Sequence, residues 1–134
     1  MREIKFQIYW IAGHEMLYDT NNDLEFRDKE NYWITDLSDA TNYPERYKVR
    51  QYTGLKDKNE TEIYDGDYIR YSRRTINGSV FTHVCRVFQH ESGTWRIEGY
   101  HEDNPSYETK GTVYEVHKVC EVIGNIYENP ELVK

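Results

Sequence analysis

Little in this sequence provides for covalent cross-links, membrane insertion or a phosphate cradle. Only two cysteines occur, Cys85 and Cys120, too few for a disulfide framework, and both are expected as reduced thiols of a cytoplasmic protein. No apolar run is long enough to span a bilayer. The start, Met1-Arg2-Glu3-Ile4-Lys5-Phe6, lacks the unbroken apolar stretch of a signal peptide, which argues against secretion. The eight glycines are scattered through turns, so no Gly-rich phosphate loop is present. Aliphatic residues are scarce as well: the apolar fraction is 37% and the mean hydropathy -0.95.

Aromatic residues fill that gap. The chain holds 13 Tyr, 4 Phe and 3 Trp, 15% of its length. Tyrosine suits a half-buried pleated surface, because its ring packs while its hydroxyl reaches water. The composition therefore points to strands. A length of 134 residues fits a single domain, 1–134, able to bury one core without metal or disulfide staples.

The net charge of -7 is unevenly spread. Residues 1–45 carry ten acids against four bases, residues 46–90 five against nine, and residues 91–134 nine against four. A basic middle between acidic ends leaves nucleic-acid binding open, although an ordinary solvated surface accounts for the same numbers.

Hydrophobic periodicity supplies the elements. Ile4, Phe6, Ile8 and Trp10 alternate with polar or amphipathic residues, the period of a half-buried strand. Met16-Leu17-Tyr18 returns as a partner. Residues 20–46 lose the pattern and read as a long connection with an edge-strand extension at Tyr32-Trp33-Ile34-Thr35; no apolar stripe supports a helical turn after Asp36 or Ser38. Tyr47 to Tyr52 alternates and stops at Thr53-Gly54; Glu62-Ile63-Tyr64 is a short extended piece before the Asp65-Gly66-Asp67 turn. From Tyr68 onward strands dominate. Asn77-Gly78 predicts a type I′ hairpin turn, and His90 to Gly93 predicts the next hairpin. Thr112–Val116 and Val119–Tyr127 are expected as two closing strands, with Gly124 a candidate bulge and Pro130 the end of regular structure. No long amphipathic stripe is present, so the expected fold class is mainly β, a small barrel or sandwich.

Two blocks carry a resemblance. The first is Gln51-Tyr52-Thr53-Gly54-Leu55-Lys56-Asp57-Lys58-Asn59 leading into Glu62-Ile63-Tyr64-Asp65-Gly66-Asp67; the second runs from Val122-Ile123-Gly124-Asn125 to Leu132. Together with the opening Met1 to Phe6 they resemble the signature segments of YopX-like proteins, encoded largely by phages and prophages. One departure stands out: the family turn commonly reads Asn-Gly where this chain has Asn59-Glu60. The resemblance implies an all-β domain with a small SH3-like barrel, and it implies no enzymatic activity. The same residues also read as turn and core positions that specify a fold.

Constellations for chemistry are thin. Glu62, Asp65 and Asp67 lie close in sequence without an EF-hand pattern, and turn chemistry explains them. His83, Cys85, His117 and Cys120 could supply zinc donors, but their spacing departs from the tight pairs of structural zinc. The serines lack a nucleophile-elbow context. Neither catalysis, nor a metal, nor a cofactor is expected. The most suggestive cluster is Arg70, Arg73, Arg74 and Arg86 with Tyr71, and Lys48 and Arg50 upstream: guanidinium groups grip phosphates and a tyrosine ring can stack on a base. Against it stands a protein-binding or self-assembling role, for which Tyr9, Trp33, Tyr43, Trp95 and Tyr100 are candidate anchors. The expectation is a non-enzymatic module that binds a protein partner or itself, with nucleic-acid binding through the arginine cluster as the alternative and no membrane involved.

Overall fold

Alternation at the N-terminus produces a strand buried on both faces. The computed structural model describes residues 6–11, 13, 15–17, 26–27, 33–34, 45 and 47–132, with the backbone alone at 15–17, 26–27 and 33–34. The chain divides into two compact units, residues 1–52 and 53–134. The first holds β1 (Phe6–Trp10), β2 (Glu15–Leu17), β3 (Phe26–Arg27), β4 (Trp33–Ile34) and the opening residues of β5 (Tyr47–Lys56). Antiparallel pairing sets Ile8 opposite Leu17 on one side and Val49 on the other. Ile8, Trp10 and Tyr47 cluster on one face with Val49. On the other face the buried Arg50 donates from Nε to Gln7 Oε1 at 2.9 Å, so a cation that sequence grouped with the basic cluster is spent inside this unit. Within the long connection β3 pairs with β4, Phe26 opposite Ile34, which places a strand where Trp33-Ile34 predicted one. The stretch from Asp36 through Ser38 lies outside the described residues.

The second unit is an open antiparallel sheet with little helix. Beyond the end of β5 come β6 (Glu62–Tyr64), β7 (Asp67–Arg74), β8 (Val80–Gln89), β9 (Trp95–His101), β10 (Glu108–Thr112), the single-turn helix α1 (Val113–Val116), β11 (Glu121–Asn125) and a 3-10 turn at Pro130–Leu132. The strand order is β10-β9-β8-β7-β11. Among the described residues no closed barrel forms. Alternation sends Ile69, Tyr71, Cys85, Val87, Trp95 and Ile97 to one face, where Ile63, Val113 and Cys120 cover them. Burial of each such aliphatic side chain contributes about 1.5–3 kcal/mol.

Four local expectations change. β5 does not stop at Gly54 but runs through it, because glycine accepts the φ of 87° found there. Thr112–Val116 is a helical turn instead of a strand: the Thr112 hydroxyl accepts from the Glu115 N–H while Glu115 Oε1 accepts from the Thr112 N–H, a capping box. The Asn77-Gly78 turn is not type I′, since only Gly78 has positive φ, 88°. Its bonds run from Gly78 N to the Thr75 carbonyl and from Thr75 N to the Ser79 carbonyl, a three-residue loop with glycine in the left-handed position. His90 to Thr94 repeats that device with Gly93 at 92°. Pro130 does not end regular structure, because the 3-10 turn begins there.

Both family-like blocks are folding devices. At the Asn59-Glu60 turn, Glu60 takes φ 66°, the left-handed geometry a glycine would supply, so the turn persists without its glycine. Asp67 accepts from the Tyr64 N–H at 2.7 Å and is 1% exposed. In the C-terminal block the Asn125 carboxamide oxygen accepts from Tyr127 and Glu128 N–H at 3.0 and 2.8 Å. The register shift at Gly124 is the bulge expected there.

Candidate interaction surface

Register decides how the arginine cluster is displayed. Tyr68 pairs with Arg86, Arg70 with Val84, Arg73 with Phe81 and Arg74 with Val80. Arg70, Arg74 and Arg86 therefore share one face of the sheet, while Arg73 and Tyr71 lie on the other. Arg70 forms an ion pair with Glu102 at 3.0 Å and Arg86 one with Glu98 at 3.1 Å. These pairs are solvent-exposed and worth about 0–1 kcal/mol each, but they locally neutralise two of the four guanidinium groups. Tyr71 is a core residue, 7% exposed, stacked on His83 with ring centroids 4.8 Å apart. Burial pushes its phenol up to about 12. That ring is not offered to a base.

What the cluster does share is an arm. The rung Tyr71–His83–His101 is the last to span three strands; Ser72–Thr82, Arg73–Phe81 and Arg74–Val80 join β7 and β8 alone. β11 leaves β7 at Arg70. The hairpin thus projects past its neighbours, with one further backbone bond from Glu102 N–H to the Thr82 carbonyl. Its tip exposes Ile76 completely, Val80 by 52% and Phe81 by 40%. Arg73 and Arg74 are exposed and make no ion pair among the described residues. From Tyr68 to His90 the chain carries four arginines and no acid. Sequence reasoning missed Ile76, Val80 and Phe81. Their signal was apolar residues running into a hairpin tip, where both faces are wet.

The face bearing Arg86 also forms a concavity of about 680 Å³, lined by Tyr68, Arg86, Glu98, Tyr100, Glu108 and Lys110 among others. Its two acids balance its two bases, so it has no excess positive charge with which to select a phosphate. The Tyr100 hydroxyl donates to the Leu132 carbonyl at 3.1 Å, and burial raises the Tyr68 phenol above its ordinary value.

The remaining sequence candidates separate. Cys85 and Cys120 are buried in the core, and burial pushes each thiol up to about 12. His117 Nδ1 meets the Lys56 carbonyl at 3.0 Å, and His83 Nδ1 the Thr109 hydroxyl at 2.8 Å. No group of three or more His, Cys, Asp or Glu gathers among the described residues. Of the anchor aromatics, Tyr9 and Trp95 are buried, Tyr100 is half-buried, and the side chains of Trp33 and Tyr43 lie outside the described residues. No helix among the described residues is long and apolar enough to cross a membrane.

Comparison with known proteins agrees with these blocks. No curated protein matches the chain. Among solved structures, the crystal structure of protein EF1440 from Enterococcus faecalis is similar, with 25% identity, a TM-score of 0.58 and coverage of 100% of both chains. The family described as YopX protein matches residues 5–134. The chain belongs to the YopX family.

Proposed function

We propose that this protein is a non-catalytic binding module, an accessory protein of phage or prophage origin acting in the bacterial cytoplasm, that associates with further copies of itself through the β7–β8 arm. The observation that carries this reading is the exposure of Ile76, Val80 and Phe81 on a projecting hairpin beside Arg73 and Arg74. Apolar groups held in water at one place favour an interface. Charge supplies the occupant: the arm is free of acids, whereas residues 91–134 hold nine acids against four bases. Beyond Arg70, β7 has no further partner strand on the side where β11 pairs, among the described residues, and backbone groups along such an edge favour strand addition. In architecture we read the second unit as an opened relative of the SH3-like barrel, since its short antiparallel strands wind about one core.

The nucleic-acid alternative is supported by the same acid-free stretch. It is weakened by the ion pairs of Arg70 and Arg86 and by the burial of Tyr71. Sedimentation velocity from micromolar to near-millimolar protein separates the two. Average mass should rise with concentration and rise less in added salt. A monomer throughout, with salt-sensitive binding of DNA or RNA that weakens in the Arg73→Ala, Arg74→Ala double variant, would instead establish the alternative.

A further inference from the structure

We propose that His83 makes the arm acid-releasable: it is an imidazole buried at the arm's root, and its protonation loosens the rung that anchors the hairpin to the sheet. This rests on the reading of the arm as the binding element. His83 is 3% exposed and occupies the middle of the last three-strand rung, between Tyr71 and His101. Its Nδ1 shares a hydrogen bond with Thr109 Oγ1 at 2.8 Å, while its buried Nε2 has no partner. The ring stacks on Tyr71 at 22° and meets His101 nearly edge-on, at 84° with centroids 4.5 Å apart.

A neutral ring suits this setting. Of the two neutral tautomers, the one protonated at Nδ1 donates to Thr109 and leaves only a lone pair at the buried Nε2. A proton on Nε2 creates a buried cation with an unpaired donor. The facing groups offer no relief. β7 presents Tyr71 and Arg73, β8 Cys85, β9 His101 and β10 the uncharged Thr109. Tyr71 and Cys85 stay protonated up to about 12, so neither supplies an anion. The nearby acid is Glu115 of α1, which acts on Tyr71 and is held in the capping box by Thr112. Burial, His101 and Arg73 all hold the His83 imidazole below its usual 6.5.

Once protonated, His83 gains by turning toward water, which unstacks Tyr71 and releases Thr109. His101 transmits the change, because its ring also packs on Phe81 at 5.5 Å and on Tyr107 at 5.6 Å. Acid should therefore free the arm before it unfolds the sheet.

Amide hydrogen exchange of the whole chain at dilute protein concentration, from about pH 7.5 to about pH 5 and corrected for intrinsic exchange, tests this. Protection at Arg73 and Phe81 should fall about tenfold or more, with a midpoint matching the His83 imidazole signal in an NMR titration, while Val87 and Ile97 keep theirs. His83→Phe retains a ring for Tyr71 without a titrating group and should abolish the step. Unchanged arm protection through the His83 titration, or the same step in His83→Phe, would overturn the proposal. If that variant does not fold, the wild-type midpoints decide: separate midpoints overturn the proposal, a shared one supports it. The exchange experiment needs no association, so a released arm on a protein that never self-associates would overturn the binding reading alone.

Discussion

Asp57, in the turn between β5 and β6, accepts a hydrogen bond at Oδ2 from the backbone N–H of Val122 on β11, at 2.9 Å and 65 residues away in sequence. Its other oxygen accepts from Asn59 and Thr61 N–H at 2.8 and 2.9 Å. Lys58 N–H adds a bond to the Cys120 carbonyl at 3.0 Å. The two family-like blocks thus meet at one buried carboxylate. Asp57→Ala leaves three backbone donors without their acceptor and should destabilise the fold by about 3 kcal/mol. Asp57→Asn keeps one acceptor oxygen and should lose less. Urea denaturation midpoints check both.

Glu60 holds the left-handed geometry at φ 66°, which strains any residue with a Cβ. Glu60→Gly relieves about 1–2 kcal/mol of that strain, offset in part by the freer unfolded chain. The net expectation is a stabilisation of up to about 1 kcal/mol, read as a higher denaturation midpoint. A lower midpoint would show that the Glu60 side chain contributes more than its backbone costs.

Gly124 is fixed by a neighbour. A Cβ at that bulge would stand 2.5 Å from Asn129 Oδ1 and 2.9 Å from Leu132 Cδ1. The same Asn129 oxygen accepts from the Asn125 N–H at 3.2 Å, so it cannot move away freely. Gly124→Ala should cost about 2 kcal/mol and weaken the C-terminal turn first, visible as faster exchange of the Asn129 and Leu132 amides.

Stability should form a plateau in pH. Burial holds His83 below 6.5, so as pH falls beneath 6.5 the unfolded chain takes up the proton first and stability is lost. Burial holds Cys85 and Cys120 at about 12 against an ordinary 9.0, so as pH rises above 9.0 the unfolded thiols ionise first and stability is lost again. Thermal midpoints measured across pH should be flattest between these limits. A thiol reagent should react with neither cysteine in the folded protein and with both after unfolding.

Legibility followed the range of the forces involved. Strand periodicity depends on neighbours two apart, and it placed β1, β6, β8 and β9 within a residue or two. Thr112–Val116 reads as strand by its apolar residues, yet Thr112 and Glu115 at that spacing form the capping box that makes it a helical turn. Asn77-Gly78 marks the hairpin locally, but its loop length depends on cross-strand pairing at Thr75 and Ser79, which no local pattern encodes. The basic cluster was legible as composition. Its division between two faces, and its neutralisation by Glu98 and Glu102 from β9 and the residue after it, are tertiary facts. The arm was invisible for the same reason: it exists only because β9 and β11 end early.

The most direct measurement compares the wild-type chain with the Ile76→Ser, Phe81→Ser double variant by sedimentation at high protein concentration and low salt, with circular dichroism confirming that both are folded. Ile76 is fully exposed and Phe81 40% exposed, so the variant should keep its fold while giving up the packing of Phe81 on the His101 ring. The account predicts a wild type whose average mass exceeds that of the monomer and a variant that remains monomeric. Equal masses for the two folded proteins, at every concentration, would contradict it.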